Sequence, residues 1–149
     1  MSTKKSAKSV TSRFSFRYAV KFLCTSNIPG TSQTTTSLLP GVYATVVNIY
    51  NHSREARFRM KLAVSTSTEI DPPLTSNFIK ETLGADQATK VDCSRIGEFG
   101  LQLIHGFEGF LVIESTVSLD VVAVYTAAKN DGDGVESMDV EYIAERNIP

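Results

Sequence analysis

Hydrophobic and polar residues alternate with a period of two in several short stretches of this chain. Phe14, Phe16, Tyr18, Val20 and Phe22 alternate with Ser15, Arg17, Ala19, Lys21 and Leu23. Residues 57–64 repeat the pattern, with Phe58, Met60, Leu62 and Val64 to one side and Arg57, Arg59, Lys61 and Ala63 to the other. In an extended chain successive side chains point to opposite faces, so both stretches predict half-buried strands. Residues 42–50 are rich in β-branched and aromatic side chains and predict another. Further strands are expected at 87–93, 110–114, 119–127 and 138–143. Residues 76–83 fit either one helical turn or a short edge strand. Residues 94–109, broken by Gly97, Gly100, Gly106 and Gly109, fit a short helix or a loop.

The connections carry turn chemistry. Residues 25–41 read as a loop, since eight of the seventeen are Ser or Thr and Pro29-Gly30 and Pro40-Gly41 punctuate them. Asn51-His52-Ser53 predicts a tight turn. It also matches a glycosylation sequon, set aside because no secretory signal precedes it. A polar linker is expected at 65–77 and a turn at 129–134. Residues 115–118 read as the turn of a hairpin joining the strands at 110–114 and 119–127.

Seven to eight short strands without a long helix predict an all-β fold, an antiparallel β-sandwich of jelly-roll-like or Ig-like type. A parallel sheet would need helical crossovers, which the pattern lacks. Residues 1–13 contain Lys4, Lys5, Lys8 and Arg13 and almost nothing apolar, so a flexible basic N-terminal arm is expected ahead of a single sandwich domain at 14–149.

Composition narrows this little. A chain of 149 residues with 42% hydrophobic side chains can bury a core as one domain and is not disordered throughout. No apolar run approaches the ~20 residues of a spanning helix, so no membrane span is expected.

Charge changes the picture more. The net charge of −1 conceals ten cations and one acid in residues 1–61, against five cations and fifteen acids in residues 62–149. Such polarity points to a partner, to a neighbouring copy, or to two halves that neutralise each other in one domain. The stripe Arg57, Arg59, Lys61 reads either as a solvated face or as the mate of an acidic face on a neighbouring subunit. Asp139 and Glu141, which project together from the last strand, are the candidates for that face.

No apolar segment precedes Val10, so a cleaved signal is not expected and a cytoplasmic location is, with non-classical export left open. Cys24 and Cys93 then read as buried free thiols. A Cys24–Cys93 disulfide is the alternative for an exported protein.

Candidate chemistry is sparse. Nucleophilic catalysis needs a Cys or Ser near a His and an orienting group. The chain offers Cys93, Asp92, His52 and His105 without an activating motif, and lacks phosphate-loop and dinucleotide fingerprints. Asp131-Gly-Asp133-Gly-Val-Glu136 suggests calcium. However, Gly134 at the sixth EF-hand position would place Lys129 first and Val140 twelfth, removing both required carboxylates. Two Cys and two His at no ligand spacing argue against zinc. No catalytic residue, metal or cofactor is therefore expected. Lys4, Lys5, Lys8, Arg13 and Arg17 could neutralise phosphates, which keeps a coat-like, nucleic-acid-associated reading open. A small-ligand or carbohydrate site rimmed by residues 25–41 is a third reading, weakened by the absence of Trp.

The block from Gly109 through Phe-Leu-Val-Ile-Glu-Ser-Thr-Val-Ser-Leu-Asp-Val-Val-Ala-Val to Tyr125 resembles the late hairpin of small bacterial β-sandwich proteins. These include the soluble sensory rhodopsin transducer group. The segment from Tyr43 through Ala-Thr-Val-Val-Asn-Ile-Tyr to Asn51, and then residues 57–62, are similar to their early paired strands. Val91-Asp-Cys93 and Met138-Asp-Val-Glu-Tyr142 match later ones in order. The resemblance spans about residues 18–143 and lies in strand order rather than site motifs. The basic arm and the Thr-rich loop depart from it. It implies an oligomeric, non-enzymatic sandwich and transfers no ligand. The expected function is that of a non-enzymatic, self-associating structural or adaptor module, forming a homo-oligomer or filament through β edges, the N-terminal arm and charge-complementary contacts.

Overall fold

Strands form wherever the alternation is strongest. The computed structural model describes residues 13–27, 38–39, 41–66, 74–101, 106–129 and 134–149. The long strands are β1 (Phe16–Asn27), β2 (Gly41–Tyr50), β3 (Ala56–Val64), β7 (Phe107–Ser115) and β8 (Asp120–Ala128). Shorter ones are β4 (Leu74–Thr75), β5 (Ile79–Leu83), β6 (Ala88–Val91), β9 (Ser137–Tyr142) and β10 (Arg146–Asn147). A 3-10 helix spans Cys93–Phe99. The described residues thus hold ten strands rather than seven or eight. β4 and β10 are two residues long, too short to show a period, and residues 79–83 resolve as an edge strand.

Every pairing is antiparallel, and the strands build two layers. The front sheet runs β10-β1-β7-β3-β5, with β4 extending the β5 side of β3. The back sheet runs β6-β2-β8-β9. One strand serves both. Residues 16–24 of β1 pair with β7, and Thr25, Ser26 and Asn27 turn onto β2. The fully buried Thr45 of β2 braces this corner, its hydroxyl accepting from Leu23 N at 2.9 Å and donating to Leu23 O at 3.1 Å. Gly106 is required beside it. Its φ is +83°, and a Cβ there would stand 2.4 Å from Cys24 O.

The core fills the space between the layers. Tyr18, Val20 and Phe22 of β1, Phe58, Met60 and Leu62 of β3, and Leu111 and Ile113 of β7 face Val47, Ile49, Val91, Val121 and Ala123 from the back sheet. Phe22 and Phe107 meet edge to face with centroids 5.8 Å apart, worth about 0.5–1.5 kcal/mol beyond their burial. Gly109 has no room for a side chain, since a Cβ would lie 2.0 Å from Ala63 O on β3.

Two expectations fail here. β7 and β8 are not a hairpin. β7 pairs with β1 and β3, and β8 with β2 and β9. Residues 116–119 cross between the layers because Val117 and Leu119 are apolar and bury in the core. Thr116 N donates to Arg57 O, and Leu119 N donates to the Tyr18 hydroxyl at 2.7 Å. The cysteines are not free thiols either. Cys24, at the β1 corner, is disulfide-bonded to Cys93 at the start of the 3-10 helix, with Cα atoms 5.7 Å apart. The corner brings together residues 69 positions apart, a proximity that strand patterns do not reveal.

Candidate functional site

Each sheet has an outer face, and the two differ chemically. Directly opposed residues of an antiparallel pair point the same way, so register fixes each face.

On the back sheet, Val46, Val124 and Val140 form one outward row across β2, β8 and β9. Ala44, Thr126 and Met138 form the row on one side. Asn48, Val122 and Tyr142 form the row on the other. Met138 is 66% exposed, Val140 47% and Tyr142 83%. An antiparallel sheet with one wet face normally turns polar side chains outward. This one turns valines outward, with Lys90 and Asp120 confined to one end.

Asp139 and Glu141 lie on the opposite face of β9, in register with Tyr125 and Ala123. Tyr125, Asp139, Tyr43 and Thr45 line a cavity of about 110 Å³. The Tyr125 hydroxyl is buried and has no hydrogen-bond partner of good geometry among the described residues. Burial, with the charge of Glu141 beside it, pushes its pKa up to about 12.

On the front sheet the cationic stripe finds partners within its own chain. Arg59 Nε donates to Glu114 Oε1 at 2.8 Å, and Arg17 Nε donates to Glu114 Oε2 at 2.9 Å. Glu114 is buried. Burial alone would raise its pKa, but hydrogen bonds from Arg17 and Arg59 outweigh that and hold the carboxyl below the usual range. The Arg59 guanidinium also lies between the rings of Phe14 and Phe78, 4.4 and 4.1 Å from their centroids. Lys61 stands over Phe78 at 4.9 Å. Arg57 is exposed and lies 3.8 Å from Glu55. The structure therefore does not bring Arg57, Arg59 and Lys61 together with Asp139 and Glu141 within the chain.

Of the basic-arm residues, Arg13 is exposed and Arg17 joins Glu114, whereas Lys4, Lys5 and Lys8 lie outside the described residues. So do His105, Asp131, Asp133 and residues 28–37 of the Thr-rich loop. Cys93 is no nucleophile, because its sulfur is bonded to Cys24. Glu136 pairs with Lys129 at 3.2 Å. Among the described residues, no group of three or more His, Cys, Asp or Glu is placed to hold a metal. No described helix is long and apolar enough to cross a membrane.

Sequence reasoning missed two features. The apolar outer face was signalled by the run Val121-Val-Ala-Val-Tyr125, which is apolar at consecutive rather than alternate positions. The role of Asn51 left no such signal. It is fully buried, and its Nδ2 donates to Arg54 O at 2.7 Å and to Leu83 O and Gly84 O at 3.0 Å. The sequon is thus closed in the folded chain by the packing of its own asparagine.

No protein-family model and no curated protein matches the chain. A solved structure described as the crystal structure of Thermotoga maritima 1070 is similar over 86% of this chain and 91% of that chain, with a TM-score of 0.54 and 8% identity. That likeness is one of fold, and with the two-layer pairing it identifies the chain as an all-β, antiparallel sandwich.

Proposed function

We propose that this chain is a non-enzymatic, self-associating module whose copies stack through the outer face of the back sheet. The observation that carries the reading is the outward row Val46, Val124, Val140, flanked by Met138 and Tyr142. A second copy suits this face. Its centre bears no charge, so an identical face related by a two-fold axis covers it without burying an unpaired ion. Edge-to-edge pairing of β9 is the poorer joint, because Asp139 and Glu141 of two copies would oppose each other. The strand-order resemblance to the sensory rhodopsin transducer group implies the same oligomeric, non-enzymatic class.

Size sets the strength. β2 and β8, each about 30 Å long, and β9, about 20 Å long, at about 4.8 Å spacing, present a flat footprint of roughly 400 Å². That is about half of the ~800 Å² per partner in a standard interface. Association through this face is therefore concentration-dependent.

Light scattering after size exclusion, from about 5 to 500 μM, tests the reading. The mass should rise from 16.3 kDa toward a multiple of it. Val124→Glu should remain monomeric, with an unchanged circular dichroism spectrum. A wild type that stays monomeric throughout, or a variant that associates equally well, overturns the proposal.

A further inference from the structure

The outer face of the front sheet carries a second, independent surface. Arg146, Arg17, Glu114, Arg59 and Lys80 form one outward row across five strands. Lys21 and Lys61 point the same way, as does Arg57. These seven cations meet three nearby carboxylates. Glu114 is held by two arginines, Glu108 lies 3.3 Å from Lys21, and Glu55 is 3.8 Å from Arg57. The face is strongly positive although the chain as a whole carries a net charge of −1.

Between the cations lies a flat apolar floor. Ala19 and Val112 are paired across β1 and β7, and Phe110 and Ala63 across β7 and β3, all facing outward. Phe110 is 41% exposed, with Lys21 Nζ 5.4 Å from its ring centroid. Phe14 and Phe78 are committed to Arg59, but Phe110 keeps an open flank above small neighbours. Phe14 fixes the N-terminal end of the described chain on this same face, and Lys4, Lys5, Lys8 and Arg13 precede it in sequence.

We infer that this face binds single-stranded nucleic acid, with Lys21, Lys61, Lys80 and Arg146 on the phosphates and a base stacked on Phe110. A band of cations beside an exposed aromatic matches the chemistry of a strand whose charge is on its backbone and whose planar faces are free. A flat sheet cannot reach the base edges of a duplex, whose major groove is about 8.5 Å deep. An acidic peptide would use the cations and leave Phe110 idle. The inference does not rest on the back-sheet face, and the variants that test the two surfaces share no residue.

Fluorescence anisotropy of a labelled 12-nucleotide oligothymidylate, titrated with the full chain in 50 mM salt, tests it. A labelled oligoglutamate of equal charge and the matching duplex serve as comparators. The single strand should bind most tightly, and log affinity should fall linearly with log salt, by about 0.7 per phosphate neutralised. Phe110→Ala should weaken it roughly 5- to 100-fold, the scale of one stacked base. Lys61→Glu should weaken it and flatten the salt slope, whereas Lys90→Glu, on the back sheet, should do neither. Melting curves of each variant establish that the fold is kept. No binding at 50 mM salt overturns the inference. So does oligoglutamate binding as tightly with Phe110→Ala silent, which would mark an acidic protein segment as the partner.

Discussion

Glu114 of β7 lies directly opposite Arg59 of β3, and its Oε1 accepts from the arginine Nε at 2.8 Å. The other oxygen is taken by Arg17 from β1, so one buried carboxylate ties three adjacent strands. Its carboxyl is held below the usual value, so the stability it contributes is present above about pH 4.5, the ordinary value. It is lost as pH falls through the lower folded-state value. Glu114→Gln should cost about 2 kcal/mol at pH 7, the scale of hydrogen bonds to a charged group. That corresponds to a Tm lower by about 4–8 °C for a chain of this size. The gap to wild type should narrow as pH falls below about 4.5 and the Glu114 carboxyl takes up its proton. A series of melts from pH 7 downward checks this, and a gap independent of pH refutes it.

The Cys24–Cys93 disulfide closes a loop of 69 residues across the corner where β1 changes sheets. In the chain-entropy account such a closure stabilises by about 4 kcal/mol. Reduction, or the Cys24→Ser and Cys93→Ser double replacement, should lower Tm by about 10 °C. Wild type melted with and without reductant gives the comparison. Alkylation followed by intact mass reads the native state directly, and two modified thiols in unreduced, folded protein would contradict the pairing.

Asn51 holds the turn between β2 and β3 against residues 83 and 84. Its side chain serves three carbonyls and accepts from Ser53 N at 3.1 Å. Asn51→Ala would leave buried polar groups unpaired, at about 2–3 kcal/mol. His52→Ala, one residue on and exposed, should change stability by less than about 0.5 kcal/mol. Urea midpoints for both variants test the contrast, and equal midpoints would remove Asn51 from this role.

Much of the architecture was legible because strand periodicity is local. Alternation at 16–22 and 57–64 places Phe22 and Met60 inward and Lys21 and Arg59 outward without knowledge of any neighbour. Strand existence, the all-β class and the inner face of β3 follow from that alone. The segments without periodicity were less clear. β4 and β10 are fixed by pairing with β3 and β1, and two residues cannot display a repeat.

Pairing, and everything that depends on it, required the fold. A turn sequence at 115–118 is compatible with a hairpin. What decided against one is that Val117 and Leu119 gain more by filling the gap between the layers than by lying in a solvent-exposed turn. Charges read along the chain left Arg59 either on a solvated face or opposite an acid of a neighbouring subunit. They did not reveal Glu114, 55 residues away, to which its Nε donates in the fold. The sequence alone determined which side chains share a face of each strand, because that depends only on the two-residue repeat. The tertiary structure decided which strands lie side by side. It therefore decided that one outer face is valine-lined and the other cationic, because a face of a sheet is assembled from residues that no local rule connects.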